Sequence, residues 1–86
     1  MNEIINEKVS TVSLYDQNSG IVMPRKIKWQ GRIYIINKLN YHHKIRQGRT
    51  MLHIFHVTDG NIDFRLCFNT NNLHWTLEEV CDGTSY

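Results

Sequence analysis

The chain has 86 residues, enough for one domain and too few for a second hydrophobic core. Hydrophobic residues make up 41% of it and charged residues 21%, a composition that excludes an intrinsically disordered chain. Ten Lys and Arg against eight Asp and Glu give a modest formal net charge of +2.

Membrane and secretory signals are weak in this sequence. No run approaches the roughly 20 apolar residues of a membrane span, and the acidic residues 1–7 do not resemble a signal peptide. Two Cys exclude a disulfide scaffold and favour a reducing compartment. We therefore predict a cytoplasmic protein with no membrane partner. Its single domain covers residues 1–86, with residues 1–24 as an N-terminal strand or hairpin extension and residues 25–82 as a β-meander core.

The first half of the chain contains strand and turn signals. Residues 2–7 are the only candidate for a short helix, and residues 8–15 predict a strand. Residues 16–20 have turn composition, and Pro24 marks an edge, a bulge or a break, because proline cannot donate to a strand ladder. The sequence predicts a hairpin with strands at residues 25–29 and 32–38 and a turn at Gln30 and Gly31. Residues 38–49 are predicted to form a long connection ending at Gly48.

Residues 51–68 predict the best-defined hairpin. Asp59 and Gly60 are placed at the centre of a type I′ turn, which pairs Phe55 with Phe64. A loop at residues 69–72 then returns residues 73–80 as a third strand, with Leu73 beside Phe68. One face of these three strands is apolar, and we expect five of its side chains to be buried together. They are Phe55, Phe64, Leu66, Trp75 and Leu77.

These elements predict an all-β fold. The expected architecture is an antiparallel meander of five or six strands, closed into a small SH3-like barrel or half-barrel. An open sheet that dimerises through its apolar face is the alternative.

The His and Cys residues do not have the spacing of a metal site. In a strand, His53 and His56 point to opposite faces and cannot share an ion. We interpret His53 as a hydrogen-bonded residue at the edge of the core and His56 as a cross-strand partner of Asp63. Cys67 is expected opposite His74, too far from Cys81 for a disulfide. We therefore predict no metal, no cofactor and two free thiols.

The strongest functional signal is the distribution of charge. Residues 1–24 have a net charge of −2, residues 25–49 have +8 with no acid, and residues 50–86 have −4. A concentrated positive field attracts polyanions, and interspersed aromatic rings can stack on bases. Trp29 and Tyr34 are assigned to the core, which leaves Tyr41 as the stacking candidate. The predicted nucleic-acid-binding residues are Lys26, Lys28, Arg32, Tyr41, Lys44, Arg46 and Arg49.

Short motifs between residues 25 and 82 resemble a known family. They are Trp29-x-Gly31-Arg32-x-Tyr34-x-Ile36, Asp59-Gly60, Phe64-x-Leu66 and Trp75-x-Leu77-x-x-Val80-x-Asp82. The pattern is similar to that of small bacterial proteins of unknown function that occur beside, or fused to, accessory proteins of Y-family DNA polymerases. That family often has another Trp after the second strand, where this chain has Tyr41-His42-His43. The resemblance implies a DNA-related setting and no catalytic residue.

We therefore expect a small non-enzymatic module that contacts nucleic-acid phosphates through residues 25–49. The first alternative is a protein-interaction or homo-oligomerisation domain that uses a sheet edge or an apolar face. The second is a small metal-free ribonuclease, with His42, His43, Lys44 and Arg46 as acid, base and phosphate clamp.

Overall fold

The computed structural model describes residues 2–82, and all the regular elements in this range are β-strands. The predicted limits of the domain also include residues 1 and 83–86, which lie outside the described residues. The all-β antiparallel class is confirmed, and residues 2–7, the one helix candidate, form a strand instead. The strands are β1 (Asn2–Lys8), β2 (Ser10–Asp16), β3 (Ile21–Trp29), β4 (Arg32–Ile35), β5 (Lys38–Gln47), β6 (Thr50–Thr58), β7 (Ile62–Asn69) and β8 (Trp75–Asp82).

The eight strands form two open antiparallel sheets. One sheet has five strands in the order β1-β8-β7-β6-β5, and the other has three in the order β2-β3-β4. Ile27 and Ile36 from the β3–β4 region join one buried cluster with residues of the five-stranded sheet. The two sheets therefore pack together, each with an inner face toward the other and an outer face away from it.

The core confirms the predicted assignment of faces. All five predicted core side chains are at most 8% exposed and belong to this cluster. From the smaller sheet, Trp29 and Tyr34 pack against it, and the Tyr34 and Phe64 rings meet edge to face at 5.2 Å. The predicted core positions of Trp29 and Tyr34 are confirmed.

The β3–β4 hairpin has the predicted turn. Trp29 pairs with Arg32, and both intervening residues, Gln30 and Gly31, have positive φ, as a type I′ turn requires. Pro24 lies at a bulge of β3, beyond the last residue of β3 that pairs with β4. Its nitrogen, which carries no hydrogen, therefore does not face a carbonyl of β4.

The turn between β6 and β7 is one residue further along than predicted. The Asp59 N–H donates to the Ile62 carbonyl at 3.2 Å, which makes Gly60 and Asn61 the central pair. Only Gly60 of that pair has positive φ, at 103°, the pattern of a type II′ turn rather than type I′. The Asp59 carboxylate accepts the Asn61 and Ile62 N–H groups at 2.9 and 2.8 Å and so stabilises this position.

The hairpin register therefore differs from the predicted one by two residues. Phe64 pairs with Val57, not with Phe55, and His56 pairs with Arg65, not with Asp63. Because side chains alternate with a period of two, a shift of two leaves each residue on its predicted face. This explains why the predicted core is correct although the predicted pairs are wrong.

The loop before β8 is displaced in the same way. Asn69 accepts backbone N–H groups from Asn71 and Asn72 with its side chain, and its own N–H bonds to the His74 carbonyl. Leu73 therefore lies in the loop with φ of 64° and 69% exposure, not beside Phe68 in a strand.

The β7–β8 pairing follows from this loop. Cys67 lies opposite Thr76 rather than His74. A bulge between the Leu66 and Arg65 pairs then places Val80 against the core.

The predicted long connection at residues 38–49 is wrong. It forms β5, an edge strand of the five-stranded sheet, which turns at Gly48 and Arg49 into β6. A bulge at Asn40 interrupts the strand, and the inner face beyond it carries His42 and Lys44. Polar residues on an inner face hide the alternation that identifies a strand.

Candidate nucleic-acid interface

The predicted binding residues lie on several different surfaces. Lys26 and Lys28 are on the outer face of the three-stranded sheet, paired with Ile35 and Ile33. Tyr41 is on the outer face of the five-stranded sheet. The remaining residues occupy two hairpin turns and the inner face of β5, namely Arg32 at the β3–β4 turn, Lys44 and Arg46 on β5, and Arg49 at the β5–β6 turn. The structure does not gather all seven on one face.

Three of the cations lie near the turn of the β5–β6 hairpin, and we call Lys44, Arg46 and Arg49 the basic hairpin end. Lys44 and Arg46 are two residues apart on one side of β5, opposite His53 and Met51. All three cations are exposed. The chain has no Asp or Glu from residue 17 to residue 58, so β3 to β6 contain no acid. The hairpin therefore projects a positive field without a carboxylate of its own.

Two imidazoles lie in contact next to the basic hairpin end. His42 Nε2 and His53 Nδ1 are 2.9 Å apart, so one ring donates a hydrogen bond to the other. Their rings are stacked with centroids 5.1 Å apart, and His42 also stacks on Phe55 at 4.6 Å. The predicted role of His53 as a hydrogen-bonded residue at the core edge is confirmed.

Burial keeps this pair neutral. It lowers the pKa of His42, and the charges of His53 and Lys44 lower it further. Burial, followed by the charge of Lys44, also lowers the pKa of His53. At neutral pH each imidazole therefore has one N–H and one bare nitrogen.

A cleft of 490 Å³ opens beside the two rings, between the β2–β3 turn and the inner face of β5 and β6. We call it the histidine cleft. Its lining residues are Ser19, Gly20, Ile21, Val22, His42, Lys44, His53, Phe55 and Phe68. The sequence pattern does not show this cleft, because the β2–β3 turn and the β5–β6 hairpin are distant in the chain and meet only in the folded structure.

Tyr41 lies in a different environment. Its ring is 59% exposed and packs against His43 and His56 at 5.1 and 5.7 Å. This outer face also carries the ion pairs of Arg65 with Glu78 and Glu79, at 3.0 and 3.3 Å. The carboxylates make it a poor surface for a phosphate backbone, and Tyr41 is separated from Lys44 by the sheet itself.

The outer face of the three-stranded sheet is apolar and exposed. Val12 and Ile35 flank Lys26, and Ile33 lies beside Lys28. Val12, Leu14, Ile33 and Ile35 are 57–65% exposed. We call this set of four aliphatic residues and two lysines the outer apolar face.

The two cysteines are free thiols, as predicted. Burial raises the pKa of the Cys67 thiol, Glu78 raises it further, and Arg65 opposes the effect. We expect iodoacetamide at about pH 8 to alkylate Cys81 at least tenfold faster than Cys67, since the reactive species is the accessible thiolate. Mass spectrometry of peptides after timed quenching measures both rates. Equal rates in the folded protein would contradict this prediction, and urea should equalise them.

The lowered histidine pKa values predict a pH-dependent stability. His42, His53 and His56 all titrate below their ordinary value of 6.5, so the unfolded chain binds more protons than the folded one. Their contribution to the free energy of unfolding is complete above about pH 6.5. It is lost as the pH falls through their lower pKa values in the folded protein.

Urea midpoints measured between about pH 7.5 and pH 5 should therefore fall with pH. His53→Gln should flatten the profile. His74→Gln, at an exposed loop position, is the matched control and should leave the profile unchanged. A midpoint that rises on acidification would contradict the prediction.

Within residues 2–82, no three His, Cys, Asp or Glu side chains come together as a metal site. This part of the chain also has no helix long and apolar enough to cross a membrane. In comparisons with known proteins, no protein family, no curated protein and no solved structure matches this chain.

Proposed function

We propose that this domain is a small, non-enzymatic binding module that contacts nucleic-acid phosphates through the basic hairpin end. The observation that carries the proposal is the exposure of Lys44, Arg46 and Arg49 near one hairpin turn, in a region of four strands without an acid. A nucleic-acid backbone is a polyanion with regularly spaced charges, and clustered Lys and Arg bind it by displacing its counterions.

Electrostatics favours this location over the other basic residues. Arg46 and Arg49 have planar guanidinium groups suited to phosphate oxygens, and Lys44 adds a compact charge. Lys26 and Lys28 lie beside the aliphatic side chains of Ile35 and Ile33, and Arg32 lies 5.5 Å from the centre of the Tyr34 ring. These three cations add to the long-range field, and the hairpin end makes the contacts.

The proposal includes no catalytic step. In the histidine cleft, the nitrogens of His42 and His53 are 2.9 Å apart and bond to each other. An acid and a base that act on opposite sides of a phosphorus atom need room for the phosphate between them. The acid and base named for the metal-free ribonuclease, His42 and His43, are adjacent in β5 and lie on opposite faces of the sheet. Both arrangements favour binding over that alternative.

Titration at two salt concentrations tests the proposal. Fluorescence polarisation with a labelled oligonucleotide should show binding at low salt that weakens steeply as salt is added. The logarithm of affinity against that of salt should have a slope of about −2, from three phosphate contacts at about −0.7 each. The same cations also discourage pairing of the β5 edge with other chains. If that is their sole role, no oligonucleotide will bind even at low salt, and the proposal fails.

The outer apolar face favours a second candidate function, a protein-interaction surface. Four exposed aliphatic side chains on one small sheet form an apolar patch of the kind that marks an interaction site, whereas ordinary surface residues of this type are scattered singly. Lys26 and Lys28 lie among them, so the face fits an acidic, apolar partner better than a second copy of itself. Apolar contact weakens little with salt, which distinguishes it from phosphate binding. Replacing Ile33 and Ile35 with Thr should abolish such binding and leave oligonucleotide affinity unchanged.

A further inference from the structure

We propose that the histidine cleft holds one unstacked base of a single-stranded nucleic acid whose phosphates lie along the basic hairpin end. The inference rests on the proposed function for the phosphate contacts. It adds the class of nucleic acid and the position of a base.

The cleft has the size and walls that a base requires. Its 490 Å³ lies within the range of about 300–1,000 Å³ that small-molecule sites occupy. Rings form one side, from His42, His53 and Phe68, while Ile21 and Val22 are the aliphatic part of the other. An aromatic wall can accept any of the bases, since every base has a flat π surface that can stack.

The charge of the cleft changes from the interior to its mouth. The interior rings are neutral, because burial and Lys44 disfavour protonated imidazoles. Lys44 itself lines the cleft, and Arg46 follows two residues later on the same side of β5. A nucleotide has the same division, with an uncharged base and an anionic phosphate. A base in the cleft therefore brings its phosphate to the cations.

The imidazole pair also offers hydrogen bonds to the edge of a base. One nitrogen of each ring is used in the His42–His53 bond, and the other has no hydrogen-bond partner within residues 2–82. In a neutral pair, one of these remaining nitrogens carries a proton and the other is bare. Exchange of the tautomers of both rings reverses the roles. The pair therefore presents one donor and one acceptor in either order, which suits more than one base.

A duplex cannot use this cleft without extruding a base, which costs the loss of stacking and pairing. We therefore expect single strands to bind about tenfold more tightly than duplexes that carry as many phosphates. A strand of abasic sites has the same backbone charge and no base. It should bind about tenfold more weakly than the base-containing strand, with the same salt slope.

The test compares three labelled DNA probes with the same total of about twenty nucleotides, so that a duplex of about ten base pairs carries as many phosphates as each single strand. They are a single strand, a duplex and an abasic single strand, titrated against the wild-type protein. His42→Leu removes the stacking ring and its hydrogen bonds, so it should reduce affinity for the base-containing strand to the abasic level. Affinity for the abasic strand should stay unchanged. His74→Leu, at an exposed imidazole outside the cleft, is the matched control and should change neither affinity.

The outcomes separate this inference from the proposed function. If the abasic strand binds as tightly as the base-containing strand to wild-type protein, the base site is wrong and phosphate binding stands. If no probe binds at low salt, both proposals fail. The wild-type comparison needs no variant to fold, so it decides the question even if His42→Leu is unstable.

Discussion

Replacing Phe64 with Ala should lower the free energy of unfolding by about 3–5 kcal/mol. Its ring is 1% exposed, contacts Tyr34 edge to face at 5.2 Å and belongs to the cluster that joins the two sheets. Truncation removes the transfer free energy of the ring and leaves a cavity that neighbouring strands cannot fill. Small domains are stable by about 5–15 kcal/mol, so this loss approaches complete unfolding. Urea denaturation followed by tryptophan fluorescence measures it, since Trp75 lies in the same cluster.

Ile33→Ala provides the control for this measurement. Ile33 is 65% exposed on the outer apolar face, and surface substitutions of this kind change stability by less than about 0.5 kcal/mol. A Phe64→Ala protein that unfolds at the wild-type urea concentration would show that the packing of the two sheets does not depend on this ring.

Sequence patterns predicted the core because side-chain alternation alone determines which residues face inward. Phe55, Phe64 and Leu77 are on the predicted side of their strands, although their predicted cross-strand partners are displaced. An error of two positions in a β-register changes every pair and no face. Burial is therefore more predictable than pairing in an antiparallel sheet.

The pairing depended on turn geometry that composition does not resolve. Asp59-Gly60 has the composition of a type I′ centre. The Asp59 carboxylate, however, accepts hydrogen bonds from the N–H groups of Asn61 and Ile62, and this moves the turn centre by one residue. Asn69 acts in the same way before β8. A side chain that accepts backbone hydrogen bonds is hard to distinguish in sequence from one that occupies the turn centre.

The distribution of charge predicts which residues form the candidate site, but it does not predict where they lie in the fold. The charge pattern of residues 25–49, which contain no acid, indicates Lys44, Arg46 and Arg49 whatever their secondary structure. The histidine cleft needed the tertiary fold, because His42 and His53 meet only when β5 pairs with β6. The strand that brings them together has a polar inner face, so its sequence lacks the alternation that predicts a strand.

Replacing Lys44, Arg46 and Arg49 together with Ala should weaken binding to single-stranded DNA by about one hundredfold at about 0.1 M salt. Each lost phosphate contact removes about 0.7 from the slope of log affinity against log salt, so the slope should approach zero. The free energy of unfolding should change by less than about 0.5 kcal/mol, because all three side chains are exposed. Polarisation titrations at several salt concentrations measure the slope, and urea denaturation measures the stability.

A second triple variant separates local contact from general charge. Replacing Lys26, Lys28 and Arg32 with Ala also removes three positive charges, from surfaces away from the basic hairpin end. Both variants have the same net charge and therefore lose similar long-range attraction. Direct contacts at the hairpin end require the first variant to lose the salt slope while the second keeps most of it. Equal losses would show that the domain attracts DNA by its overall field, and the basic hairpin end would then not be a binding site.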